Sequence, residues 1–390
     1  MPRGPVVYSL PAGTVPKVPL ETIKSAEFNA FATDVQNTFN TPQPIEYGGT
    51  NATTAAGART NLGVVAGTVS KMDTRRNRLV NGDKLVSQEN GQTAGTGNGR
   101  YLSDQNAMYF VSSAGTFTGV NVLTLSPAGG YRDRITITTA DASLAAGEYL
   151  TYTQNIEGSN IRDAKWGTAG AVQIIVRRGF KFPAGTYTVA FHNAAVNRSY
   201  LTSFVVSGGE ANTDIVREFA VPGDITGTWL STDGVIGLTM DVVIAAGSTF
   251  QGVAGWQAGN VLTIAGATNG IATAAAVYEF FDEGLKLDPD ATGSYGVYEA
   301  GEVDTVYMSE RYLELSGGNF AWTQPGNAGT ALQRVSMLFR TRKSKVPTVS
   351  VVVATGSASF IAASSTLVIF GSAGTTMQEN SFSWTANARL

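Results

Sequence analysis

The chain has 390 residues, room for two or three domains, and carries a net charge of −3 with no basic stripe. Nucleic acid is therefore excluded as a partner class, since phosphate neutralisation needs clustered Lys and Arg. There is no Cys, which excludes disulfides, thiolate metal sites and a Cys nucleophile. Only 15% of residues are charged against 43% hydrophobic, and 45 are Gly, a mixture that suits short strands joined by tight turns.

Residues 1–24 are punctuated by Pro2, Pro5, Pro11, Pro16 and Pro19, which forbids a helix and predicts an extended arm. The opening MPRGPVVYSLPAGTVP lacks the apolar run of a secretory signal, and no 18-residue apolar stretch follows. The expectation is a soluble product without standard export. A helix is predicted from Ser25 to just before Pro42, with Glu27 in its first turn. Phe28, Phe31, Val35 and Phe39 form one apolar stripe on it. So short a helix is marginal alone in water, so the stripe must cover its own domain or a partner.

Residues 46–64, EYGGTNATTAAGARTNLGV, are small, polar and Gly-rich. They read as a linker, or as a neck where identical chains approach closely. From about Asn77 to Asp288 strand signals are dense: Ile135 to Thr138, Val172 to Val176, Phe180 to Phe182, Tyr187 to Phe191, Phe204 to Val206, Ile236 to Ile244 and Ala276 to Phe281. Pro183-Ala184-Gly185, Ser207-Gly208-Gly209, Pro222-Gly223-Asp224 and Ala246-Gly247 separate them. Short strands with regular turn punctuation predict a mainly β fold, an antiparallel sandwich of jelly-roll type. Over 289–318, Val303, Val306, Tyr307 and Leu313 predict one short helix before Gly317-Gly318. The block 319–390 reads as a smaller C-terminal β domain, with strands at Val335 to Arg340, Thr348 to Ala354, Thr366 to Phe370 and Ser381 to Ala386. The expected organisation is thus 1–45 anchoring arm and helix, 46–75 linker or neck, 76–288 jelly roll, 289–318 connector and 319–390 terminal domain.

The run from Gly48 to Gly63, ending Ala58-Arg59-Thr60-Asn61-Leu62-Gly63, resembles a motif of bacteriophage tail-fibre and receptor-binding proteins. Upstream, Leu10-Pro11-Ala12-Gly13-Thr14-Val15-Pro16 and Ile23-Lys24-Ser25 resemble the virion-binding N-termini of such proteins. Asn77-Arg78-Leu79-Val80-Asn81-Gly82-Asp83 with Val86-Ser87-Gln88 resembles the opening of a jelly-roll carbohydrate-binding module of fibres and head spikes. The blocks Trp166 to Ala169, Pro183 to Tyr187, Pro222 to Trp229 and Phe280 to Asp282 are similar to the same module, and Phe382 to Ala388 to a fibre C-terminus. What the resemblance implies is a homotrimer anchored through its N-terminus to a portal, tail or capsid protein. Its distal β domains would contact a host surface polysaccharide, without enzymatic activity, on a virion assembled in the host cytoplasm.

Catalytic sets are sparse. His192 is the only histidine, and no G-x-S-x-G elbow accompanies it, so it is read as a structural group. A capsule depolymerase is the enzymatic alternative, needing two facing carboxylates. Asp282, Glu283, Glu148, Asp214 and Glu279 are candidates, although neighbours in a regular strand, such as Asp282 and Glu283, point to opposite faces. A structural decoration or collar protein without receptor binding is the third reading. Asp288, Asp290, Thr292 and Glu299, with Gly293, fit the spacing of a calcium loop, although Pro289 is foreign to it; no other cofactor is expected. For glycan binding, sugars stack their C–H faces on aromatic rings and need planar polar groups at the rim. Trp166, Trp229 and Trp256 lie in Gly-flanked, turn-like sequence, and Tyr101, Asp104 and Asn106 in a similar setting. The alternative for each is a place in the sandwich core, which is the expectation for Trp384.

Overall fold

A computed structural model of the chain describes residues 25–40, 50–52, 54, 57–58, 61, 76–296, 298, 302–318, 320–324, 333–372 and 378–390. The predicted arm over 1–24, most of 46–75, Glu299 and the Phe39 side chain lie outside them. The chain divides into two compact units, Met1–Asp73 and Thr74–Leu390.

In the first unit, helix α1 spans Ser25–Asn40, as the stripe and Pro42 predict. Phe28 and Phe31 are exposed there and Val35 is half-buried. Further on, Thr54 caps a helical turn by accepting the Gly57 N–H at 3.0 Å, and the Asn61 amide donates to the carbonyls of Thr50 and Asn51. The Asn of A-R-T-N-L-G thus works as a hook that closes this small-residue stretch on itself.

The second unit is mainly antiparallel β, with one short parallel pair, Gln251–Gly252 beside Thr263–Ile264. In chain order its strands are β1 (Arg100–Ser103), β2 (Asn106–Val111), β3 (Thr116–Val122), β4 (Arg132–Thr139), β5 (Tyr149–Glu157), β6 (Ile174–Lys181), β7 (Gly185–His192), β8 (Arg198–Val206), β9 (Ile215–Val221), β10 (Ile236–Ala246), β11 (Gln251–Gly252), β12 (Gly255–Ala258), β13 (Thr263–Ile264) and β14 (Val277–Leu287). One sheet has the order β1-β2-β5-β10-β7-β8-β12 and faces a second of order β3-β4-β14-β6-β9. Strands such as β3 and β4 alternate buried and open residues because only one of their faces is covered. The central β10 is buried almost throughout, since Leu262, Val261 and Phe250 pack over the outer face of its sheet. Rings from the two sheets meet in the core: Tyr152 stacks on Phe280 at 3.8 Å and Phe204 on Phe180 at 4.5 Å.

The segment 77–86 has a structural task. β14 carries a bulge between Phe281 and Gly284, where its pairing with β6 slips. Asn77 takes up the freed groups, donating to the Glu283 carbonyl and accepting the Leu285 N–H, both at 3.0 Å, while the Gly82 carbonyl accepts the Glu283 N–H. Lys84 then enters the interior, where its ammonium meets Glu283 at 2.6 Å. The expectation of regular strand geometry at Asp282 and Glu283 is therefore corrected: Asp282 has φ 48° and the alternation breaks.

A short helix, α2 (Gly158–Ile161), lies between β5 and β6, and beyond β14 helix α3 spans Glu302–Glu310. The predicted helix is there but presents the opposite face. Val306 and Tyr307 are exposed, whereas Thr305, Ser309 and Glu310 are buried; Glu310 receives Arg340 through its carboxylate and Lys343 through its carbonyl. Leu313 belongs instead to β15 (Leu313–Leu315). β16 (Phe320–Gln324), β17 (Gln333–Leu338), β18 (Thr348–Thr355), β19 (Ser359–Ala363), β20 (Leu367–Ser372) and β21 (Gln378–Asn387) complete two small sheets. Phe370, Phe382 and the nearly buried Trp384 form their core, as expected of Trp384. Arg311 and Tyr312 bind Glu157 of β5, and Arg389 covers the Tyr101 ring at 3.7 Å, so this block is fastened to the sandwich.

Candidate functional site

Two connections and an edge strand converge on one another, and each brings a tryptophan. Trp166 follows α2 and a 3-10 turn, Arg162–Ala164, in the β5–β6 connection. Trp229 lies in the β9–β10 connection, and Trp256 sits in edge strand β12 opposite Tyr200 of β8. The rings meet edge to face, with centroids 4.8 Å apart for Trp166–Trp229, 5.3 Å for Trp166–Trp256 and 5.6 Å for Trp229–Trp256. The approach depends on Gly167. Its φ is +81°, and a Cβ there would stand 2.9 Å from the Gly227 carbonyl oxygen and 3.2 Å from the Trp229 ring.

At these three rings each indole N–H is spoken for. Trp166 Nε1 donates to the Val172 carbonyl at 2.7 Å and Trp256 Nε1 to that of Pro222 at 2.9 Å. Trp229 Nε1 is shared between Asp224 and the Thr226 carbonyl, each at 3.1 Å. Asp224 is the pivot: Arg198 grips it with two bonds, 2.9 and 2.7 Å, while the same guanidinium lies over the Trp256 ring. Burial alone would raise the Asp224 carboxyl, but Arg198, the Thr226 N–H and hydroxyl and the Trp229 N–H outweigh it and hold it below its ordinary value. The rings are thus locked by polar bonds at their edges, leaving ring surface, not N–H groups, for a ligand.

Beside them opens a cleft of about 340 Å³, its wall formed by Trp166, Trp229, Ile161 and Leu230 and its rim by Arg162 and Lys165. Trp166 is 7% exposed and forms the floor, Trp229 is half-exposed, and Leu230 is 40% exposed. Trp256 does not line the cleft but buttresses the other two from behind. Among the described residues no carboxylate or histidine lines it, so these offer apolar faces, hydroxyls and cations but no acid–base pair.

No family model matches the chain, and no curated protein sequence matches it. Solved structures that are similar in part include the enzymatically active domain of tailspike protein 4 of bacteriophage CBA120, with 7% identity and a TM-score of 0.29 over 54% of this chain and 21% of that one. A family 11 carbohydrate-binding module of a cellulosomal cellulase of Clostridium thermocellum aligns with 9% identity and a TM-score of 0.27, over 50% of this chain and 94% of the module. TmCBM61 in complex with β-1,4-galactotriose aligns with 10% identity and a TM-score of 0.26, over 55% of this chain and 99% of that one.

The remaining sequence candidates fall elsewhere. Asp104 and Asn106 are buried and committed: Asp104 accepts from the Gln88 N–H and amide, and Asn106 accepts Lys84 and donates to Ser103. Tyr101 has Arg389 on its ring. In these three the polar groups or a ring face are engaged within the fold. Asp288 accepts N–H bonds from Thr292 and Gly293, the Thr292 hydroxyl and the Gln173 amide, so its oxygens close a turn; Asp290 is exposed.

His192 is buried. Its Nδ1 is 2.9 Å from Ser199 Oγ and its Nε2 3.4 Å from Asp241, a Ser-His-Asp grouping without solvent access. Ser199 Oγ donates to the Gly259 carbonyl at 2.6 Å, so the hydroxyl receives the Nδ1 proton rather than surrendering its own. The depolymerase candidates are likewise engaged. Asp214 and Glu279 hold Arg132, Glu148 accepts N–H groups of Ser113 and Ala145, Asp282 accepts Ser126, and Glu283 accepts Lys84 and Arg178. Sequence reading missed Arg162, Lys165, Arg198 and Asp224; of these only Asp224, in Pro222-Gly223-Asp224, carried a turn signal.

Proposed function

We propose that this chain is a bacteriophage attachment fibre or spike that binds a host surface polysaccharide at the Trp166–Trp229 cleft without cleaving it. The observation that carries this reading is the cleft: two fixed indole rings flanked by hydroxyls and cations, open to solvent, with no carboxylate pair across it among the described residues. Its volume of about 340 Å³ lies within the range of small-ligand sites and fits one or two sugar rings. The tail-fibre-like run ending at Gly63, and the jelly-roll opening from Asn77 to Gln88, supply the virion context.

Phe28 and Phe31, exposed on α1, suit docking into a virion protein. A homotrimer is favoured by the apolar side chains left open in the C-terminal sheets, Leu338, Val352 and Phe360 among them. Three linked sites would raise weak single-site affinity on the order of 10²- to 10⁴-fold. The protein would be displayed on the virion. The test is adsorption of purified chain to host cells and to their isolated polysaccharide. The expected result is saturable binding with the polymer length unchanged, lost in the Trp229→Ala variant. Binding unaffected by that change, or shortening of the polymer, contradicts the proposal.

A further inference from the structure

The cleft carries more charge than a neutral sugar requires. Arg162 and Lys165 stand at the two ends of one 3-10 turn, both exposed, and no acidic side chain among the described residues shares the lining with them. The carboxylates in and beside the segments that line the cleft are turned to other partners, Glu157 to Arg311 and Tyr312. Asp163 is held by both Nη atoms of Arg78 at 3.0 and 2.8 Å, Asp224 by Arg198, and Asp233 lies 3.5 Å from Arg311. Arg162 and Lys165 therefore have no carboxylate partner among the described residues. Two like charges beside an apolar wall repel one another, and an anion placed between them relieves that repulsion.

We infer that the saccharide taken by this cleft is acidic, its C–H face on Trp229 and a carboxylate or phosphate substituent between Arg162 and Lys165. The inference rests on the glycan-binding reading above. A neutral sugar needs ring faces and hydrogen-bonding groups but no positive charge, so the cations are the part that selects.

The experiment applies the purified full chain to an array of bacterial surface polysaccharides with neutral and acidic members. Each bound polymer is tested again after carbodiimide–borohydride reduction of its carboxylates, and after hydrofluoric-acid removal of its phosphates. The bound set is expected to be acidic, and whichever treatment removes its charge weakens binding roughly tenfold, the combined effect of two exposed charge contacts. That loss shrinks as salt is raised. The Arg162→Gln/Lys165→Gln variant should no longer distinguish treated from untreated polymer, and it should melt like the parent because both side chains are exposed. If that variant fails to fold, the polymer treatments on the unaltered chain decide alone. Equal binding to treated and untreated polymers, or binding confined to neutral ones, overturns the acidic assignment and leaves glycan binding standing. Absence of binding to every polymer overturns both.

Discussion

Lys84, Glu283 and Arg178 form a charged group with no exposed atoms to speak of: Glu283 accepts Lys84 at 2.6 Å and Arg178 at 2.9 Å, and all three side chains are buried. Such a group stabilises only while it is complete, because removing one partner leaves a buried charge uncompensated. Glu283→Gln is expected to cost about 3–5 kcal/mol in urea unfolding, and an unchanged midpoint would show that the pair is dispensable. Asp224 gives a pH prediction. Its folded pKa is depressed, so its contribution is present above the unfolded value of 3.8 and is lost as pH falls through the lower, folded one. Tryptophan fluorescence should stay flat from pH 8 to 5 and change below about pH 4, with Asp224→Asn flattening that step. A transition centred near pH 6 would contradict this assignment. The three tryptophans were legible as candidates because Gly-flanked, turn-like sequence sets them outside apolar runs. Asp104 and Asn106 share that setting but are held by Gln88 and Lys84, partners well apart in sequence that leave no local mark.

At the scale of elements, the bulge in β14 and the segment that fills it are one device. Gly82 passes so close that a Cβ would lie 2.1 Å from the Glu283 carbonyl oxygen, a backbone atom that has little room to move. Gly82→Ala should therefore destabilise by about 1–3 kcal/mol, as overpacking does, with Gly97→Ala, whose Cβ meets nothing within 4 Å, as the control. Equal midpoints for the two variants would contradict the close approach. Strands with one covered face, such as β4, were readable from alternation, and β10 from its long apolar run. β5 was not, because Thr151, Thr153, Gln154 and Glu157 are buried on it with hydrogen-bond partners at Tyr109, Asp241, Val80 and Arg311. A hydrophobic period cannot report buried polar groups whose partners are remote. The inverted face of α3 has the same cause, since Arg340 and Lys343 make its polar side the buried one.

For the whole molecule, the account joins a polar-locked aromatic cleft on the sandwich to display in several copies. Light scattering of the purified chain should give three times the 40.8 kDa of one chain, and a monomer at micromolar concentration would remove the avidity argument. The cleft itself is tested most directly by a crystal structure of the chain with an oligosaccharide cut from the polymer it binds. The account predicts a sugar ring against Trp229 over the Trp166 floor, with Arg162 and Lys165 reaching its polar edge. A sugar bound on another face, with this cleft left empty, would contradict it.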